Sequence, residues 1–251
     1  MVQNNLIPSR ERARALILAG RVLVNEQKVD KPGTAVSADA TLRIIGEQQR
    51  YVSRGGIKLE AALSHWKIPT EGRSCLDVGT STGGFTDCLL QHGATHVDCV
   101  DTGFGQIAMG LRNDPRIRLH ERTNARLLAP GSLLASNDSE PTLTLLVTDV
   151  SFISATLVLP AVLAAAPTLT EAVVLVKPQF EVGRERIGKG GIVRDPEAHQ
   201  YAVERVFDCI EELGARDIDC IDSPITGMEG NREFLLHALF SPLRNENQNA
   251  H

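Results

Sequence analysis

No stretch of this chain stays apolar for the roughly 20 residues that a membrane-crossing helix needs. The opening residues, MVQNNLIPSRERARALILAG, also lack a signal-peptide layout, because the apolar stretch is short and follows the charges inside a helical pattern. Cysteine is scarce. Cys75, Cys88, Cys99, Cys209 and Cys220 are odd in number, form no C-x-x-C pair and mostly fall within apolar strand or helix patterns. That usage excludes a zinc site and a disulfide framework, and it points to buried free thiols in a reducing cytoplasm. What is present is a globular composition. The 251 residues are 42% hydrophobic, which suits one large domain or a medium one with a small companion.

Charge is unevenly spread. Residues 1–60 carry 10 Lys+Arg against 6 Asp+Glu, whereas residues 61–251 carry 16 against 25. A basic head on an acidic body suggests that the head meets a polyanion, although a solvated helix face would look the same. The head opens with PSRERARALILAG, read as a helix capped by Ser9 and ended by Gly20. An alternating stretch follows, with turn signals at Asn25-Glu26 and Pro32-Gly33. The order S-R-x-x-A, G-x-V-x-V-N and K-P-G resembles the S4-like RNA-binding domain. The resemblance implies RNA contacts at Ser9, Arg10, Arg14 and Lys31. Such domains open with a further helix, which is expected to be truncated here. The expected organisation is an S4-like domain over 1–48, a linker over 49–56, a catalytic domain over 57–243 and a polar tail over 244–251.

The body alternates strand and helix patterns. Strands are expected at 74–79, 96–101, 116–121, 143–149, 172–177, 217–222 and 232–239, and the longest helix at 196–214. The alternation implies an α/β fold whose mostly parallel sheet is covered by helices, with ligands beyond the carboxyl ends of the strands. The last two strands are joined too briefly for a helical crossover, so they should pair antiparallel. A parallel sheet with its last strand reversed resembles the layout associated with adenosylmethionine-dependent methyltransferases.

Further absences narrow the chemistry. The first strand runs into CLDVGTSTGGFTD, whose G-x-x-x-G-G spacing is not the G-x-G-x-x-G of dinucleotide binders, and no Walker lysine follows. A cofactor without phosphates suits this loop, and a plain tight turn is the alternative. The candidate cofactor residues there are Asp77, Gly79, Ser81, Thr82, Gly83, Gly84 and Phe85. Asp101, at the end of the second strand, can accept ribose hydroxyls or merely cap a turn. Asn124, after the third strand, can meet the adenine edge or merely turn the chain. The fourth strand, in LTLLVTDVSF, ends on Asp149 without the proline of base-amino methyltransferases. No cysteine stands at this end or the next, as base-carbon methylation would require. Lys177 ends the fifth strand instead, and a pair with Asp149 would offset the cost of burying either charge, whether in a site or as a structural salt bridge across the rim. Lys58 opens an amphipathic helix, where an ammonium is unfavourable without a local anion or a task; a lysine snorkelling on a solvated helix is the alternative.

The blocks SRGGIKLEAA, CLDVGTSTGGFTDCLLQHGA, ERTNAR, TDVSFIS, VKPQFE, KGGIVRD and GNREFLL follow one another in an order that resembles the TlyA (hemolysin A) family over nearly the full length. That family joins an S4-like domain to an FtsJ-like domain. The resemblance implies 2′-O-methylation of a ribosomal RNA ribose, on a cytidine, with S-adenosylmethionine as cofactor and rRNA or a ribosomal subunit as partner. It implies a tetrad of Lys58, Asp149, Lys177 and Glu233, with Glu229 in MEGN a nearby competitor that the motif disfavours, Asp149 also at the cofactor and no metal. Two other readings compete: a membrane-active cytolysin, and an RNA-binding module with an idle methyltransferase fold.

Overall fold

The computed structural model describes residues 1–2, 6–7, 10–45, 50–135, 137 and 140–241. Ser9 and the 244–251 tail therefore lie outside the described residues. The chain divides into two compact units, Met1–Gln49 and Arg50–His251.

In the head, helix α1 (Arg10–Leu18) precedes strands β1 (Val22–Val24), β2 (Gln27–Val29) and β3 (Leu42–Ile44), which form an antiparallel sheet in the order β2-β1-β3. Asn25 and Glu26 both have positive φ, 51° and 64°. A two-residue hairpin turn needs that geometry to match the strand twist. Gly20, φ 63°, ends the helix as expected. Ala13, Val22 and Leu23 are buried.

The body runs α2 (Gly55–Trp66), β4 (Ser74–Val78), α3 (Gly84–Gln91), β5 (His96–Val100), α4 (Met109–Arg112), β6 (Ile117–His120), β7 (Leu143–Thr148), α5 (Leu159–Ala165), β8 (Glu171–Val176), α6 (Pro178–Glu181), α7 (Pro196–Glu212), β9 (Ala215–Asp222) and β10 (Phe234–Phe240). These strands form one sheet in the order β6-β5-β4-β7-β8-β10-β9. All neighbours are parallel except β10, which runs antiparallel to both β8 and β9. The order reverses between β4 and β7, so the crevice that an open α/β sheet offers a ligand lies at the carboxyl ends of those two strands.

The apolar run of β7 follows from its central place. Leu145 and Val147 join a core with Leu59, Phe85 and Leu89 on one face, while Leu146 joins Val174, Val206 and Ile210 on the other. A strand covered on both faces has no polar positions to alternate. Helix α7 starts as its sequence suggests: the Asp195 carboxylate accepts from the Glu197 N–H at 3.1 Å and Pro196 takes the first turn.

One boundary differs from expectation. Residues 50–56, read as linker from their polarity and paired glycines, are folded into the body. Tyr51 is 1% exposed, the Val52 N–H donates to Asp87 Oδ2 at 2.7 Å, and α2 already begins at Gly55. A Cβ at Gly56 would stand 2.3 Å from the Tyr51 ring, so glycine here serves a close approach and not a hinge.

Candidate active site

Gly79 stands at the reversal of strand order. Its N–H donates to Val100 O at 2.9 Å, and the Asp149 N–H donates to Val78 O at 3.0 Å, so the end of β4 stays paired with β5 on one side and β7 on the other. Gly79 has φ 87°, and a Cβ there would lie 2.6 Å from Asp149 O. Only glycine fits so close to another backbone at that φ. Gly83, φ 95°, then starts α3.

Three carboxylates, of Asp77, Asp101 and Asp149, surround this turn. Asp101 accepts from the Ser81 N–H at 2.8 Å and from the Gly103 N–H at 2.6 Å. It therefore shapes the loop, and each oxygen retains a further acceptor site. Asp77 is fully buried on β4. Its Oδ2 accepts from Thr86 Oγ1 at 2.5 Å, and Oδ1 has no partner among the described residues. Burial pushes this carboxyl up to about 7; the Thr86 hydrogen bond opposes the rise, and the charges of Asp149 and Asp101 reinforce it. The Asp101 carboxylate beside the turn would repel a pyrophosphate, whereas it can accept ribose hydroxyls and favours a cationic adenosyl ligand. S-Adenosylmethionine fits this donor set and a dinucleotide does not.

The tetrad residues come from four separate elements. The parallel register sets Val78 against Thr148, which brings Gly79 beside Asp149. The antiparallel register sets Phe234 against Val176, so Glu233 and Lys177 flank one another where β10 enters and β8 ends. Lys58 reaches in from the first turn of α2. The four form two ion pairs. Lys58 Nζ meets Glu233 Oε2 at 2.5 Å, and Lys177 Nζ meets Asp149 Oδ1. Lys177 also donates to Ser151 Oγ at 2.8 Å. Lys58, Lys177 and Glu233 are buried and Asp149 is partly open. Removing one member of such a pair strands its partner in low dielectric. Glu229, a competitor in sequence, is exposed in the turn before Asn231 and pairs with neither lysine.

Other expected residues are placed differently. Phe85 is 3% exposed in the core beneath α2, so its side chain is committed to packing and away from a cofactor. The Asn124 side-chain oxygen accepts from the Arg126 N–H at 3.1 Å, which is the turn-making role; its neighbour Thr123 donates its N–H to Asp101 O at 2.9 Å. Ser81 and Thr82 are placed on the loop, with Ser81 exposed, and Gly84 is buried where a Cβ would meet Ser53 Oγ. In the head, Arg10, Arg14 and Lys31 line one groove of about 440 Å³ with Val22, Val29 and Pro32.

Some residues at the site had no sequence signal strong enough to single them out. Ser151 is one. Phe152 is another: 92% exposed, at φ 64°, with its ring 5.3 Å from that of Phe180. A bulky residue in the left-handed region and in full solvent is costly twice over. Its place just after Asp149 was legible, but its exposure was not. Glu181 is a third. It is buried and accepts from Ser154 Oγ and from the Ala155 N–H, which ties the turn after β8 to the turn after β7. Burial raises its carboxyl above the ordinary range.

The family model for FtsJ-like methyltransferases matches residues 51–240, and that for the S4 domain matches residues 1–42. The 16S/23S rRNA (cytidine-2′-O)-methyltransferase TlyA of Mycobacterium tuberculosis is 44% identical over 237 residues, 94% of this chain and 86% of that one. Hemolysin A of Brachyspira hyodysenteriae is 39% identical over 229 residues, 91% of this chain and 93% of that one. A solved structure from Streptococcus thermophilus that bears a hemolysin name is 41% identical, covers 94% of this chain and 84% of that one, and superposes with a TM-score of 0.71. With its glycine turn at the sheet's reversal point and these matches along nearly its whole length, the chain belongs to the FtsJ-like methyltransferase family, in the S4-bearing group that contains the TlyA proteins.

Proposed function

We propose that this protein methylates a ribose 2′-hydroxyl in ribosomal RNA, on a cytidine, with S-adenosylmethionine as donor, and that it works among ribosomes in the cytoplasm. The observation that carries the reading is the double ion pair. Two lysines from different elements are buried at the sheet edge beside the glycine turn, each held by its own carboxylate.

A ribose hydroxyl is a weak nucleophile and must lose its proton as the oxygen–methyl bond forms. Adenosylmethionine, when bound, supplies a methyl group on a sulfonium centre and leaves as a neutral thioether. Lys177 Nζ has three positions for partners; Asp149 and Ser151 occupy two. The third is available to the substrate oxygen, where Lys177 as the neutral amine receives the hydroxyl proton while the oxygen–methyl bond forms and the sulfur–methyl bond breaks, and the ammonium so formed is held by Asp149. Asp149 fixes the direction of that third position. Lys58 and Glu233 form the other wall, and their mutual neutralisation lets both stay buried beside the reacting atoms. Asp101 keeps acceptor capacity for the cofactor's ribose hydroxyls.

Phe152 gives the rim an exposed ring on which a nucleobase can stack, an interaction worth about 1–3 kcal/mol per base. The groove of Arg10, Arg14 and Lys31 in the head suits phosphate oxygens.

The test is transfer of labelled methyl from adenosylmethionine to rRNA or isolated ribosomal subunits, followed by mapping of the product as an alkali-resistant linkage. The parent should label a cytidine ribose. Lys177→Ala should lose about 10²–10⁴-fold in turnover, the usual contribution of a positioned proton acceptor. Label on a base, or none with the parent, would reject the assignment; the second result would describe an RNA-binding module with an idle fold.

A further inference from the structure

The segment GRERIGKGGIVR, residues 183–194, follows α6 and takes no part in the site described above. It carries Arg184, Arg186, Lys189 and Arg194 against one acid, Glu185, within a body that is otherwise strongly acidic. All four cations are exposed. The surface ion pairs of the body engage Arg50, Arg112, Arg116, Arg118 and Arg232. Among the described residues, none engages these four. Glu185 folds back toward Gly183, and Glu229 approaches the Gly191 turn. Like charges clustered without counterions destabilise a fold, so their retention here fits an anionic partner.

The segment is also anchored. Asn231 is 1% exposed; its Oδ1 accepts from the Val193 N–H at 2.9 Å and its Nδ2 donates to Gly191 O at 2.9 Å. The Asn231 carbonyl accepts from the Gly227 N–H at 2.9 Å, and a Cβ at Gly227 would lie 2.6 Å from Glu233 Oε1. The buried amide that clamps the basic segment thus sits just before Glu233, in the same short stretch that delivers Glu233 to Lys58.

We propose that residues 183–194 are an RNA-backbone contact of the catalytic body. Guanidinium and ammonium groups there engage phosphates near the target ribose, and Asn231 holds the segment in register with Glu233. Charge-assisted hydrogen bonds to phosphate are the matching chemistry. The inference deepens the rRNA reading of the site and rests on it.

The experiment uses the full chain with Arg184→Ala/Arg186→Ala/Lys189→Ala, titrated against a protein-free ribosomal RNA transcript over a range of salt. Affinity should fall, and the slope of log affinity against log salt should flatten by about one unit for each phosphate no longer engaged. Arg184→Lys/Arg186→Lys should retain the parental slope, because it keeps the charge. Parental affinity and slope in the alanine triple variant overturn the proposal. They do so even if binding to intact subunits weakens, since the segment would then face ribosomal protein. Binding is read without turnover, so a parent that failed to methylate would count against the enzymatic reading and leave the binding result intact.

Discussion

Lys177 forms an ion pair with Asp149 and donates to Ser151 Oγ, and the proposed reaction treats the lysine and the carboxylate as one unit. Groups that act as a unit lose activity non-additively. Adding Asp149→Ala to Lys177→Ala should therefore cost little further turnover than Lys177→Ala alone, measured as single-turnover methylation at saturating RNA. Additive losses would assign the pair to separate tasks. Asp77 offers a test by pH. Its folded carboxyl lies near 7 through burial, against about 4 in an unfolded chain. Between those values the folded state holds a proton that the unfolded chain has released, so stability falls as pH rises through that window. Asp77→Asn preserves an oxygen for the Thr86 hydroxyl and removes the titration. Urea midpoints at about pH 5 and about pH 8 should drop across the window in the parent and drop less in the variant. Equal drops would show that Asp77 is ionised throughout.

At the scale of elements, the glycine turn is built by backbone contact as much as by flexibility. A methyl at Gly79 would meet the Asp149 carbonyl, an atom with nowhere to go, and one at Gly83 would meet Leu111 Cδ1 at 2.4 Å. Both positions have positive φ. Gly79→Ala and Gly83→Ala should each cost about 1–3 kcal/mol of stability, seen as a fall of several degrees in Tm. Gly79→Ala should also reduce methylation below its share of folded protein, because the strain falls on the residue that positions Lys177. Gly83→Ala, next to an adaptable leucine side chain, should lose stability with a smaller effect on turnover. The reversed order would place the turn's catalytic role at α3 and away from the β4–β7 junction.

The whole molecule joins a basic head to an acidic body, 10 Lys+Arg against 6 Asp+Glu in residues 1–60 and 16 against 25 beyond. A polyanion is attracted to the first and repelled by most of the second, so the proposed rRNA substrate is expected to be met by the head. Arg10→Ala/Arg14→Ala should lower rRNA affinity and flatten the salt dependence by about one unit per phosphate released, read by titration at several ionic strengths. A parental slope would mean that the groove in the head meets something other than a phosphate backbone. The hemolysin names carried by relatives have no counterpart in a spanning helix: among the described residues, no helix is long and apolar enough to cross a membrane.

The sequence alone was enough for the order of elements in the body, because apolar period and turn chemistry are local. Each expected strand is observed with ends shifted by two residues or fewer, the 196–214 helix spans Pro196–Glu212, and the last strand is reversed. Resemblance supplied Lys58, Asp149, Lys177 and Glu233 as a set, and the apolar run ending on Asp149 marked the strand that carries it. The two strand ends pointed to a pair of Asp149 with Lys177, which the structure forms, but local pattern could not say what meets Lys58. Lys58 and Glu233 are 175 residues apart, and their pairing depends on the register of β10 against β8 and on where α2 packs. The same limit applies to Phe85 and Phe152. Both are aromatics beside a site motif, yet the packing of α2 buries one and a left-handed turn leaves the other 92% exposed. Residues 50–56 read as a linker because glycine and polarity are ambiguous in one dimension; in three, Tyr51 fills the space that Gly56 leaves open. Burial is a property of neighbours brought together by the fold, and only tertiary structure decides it.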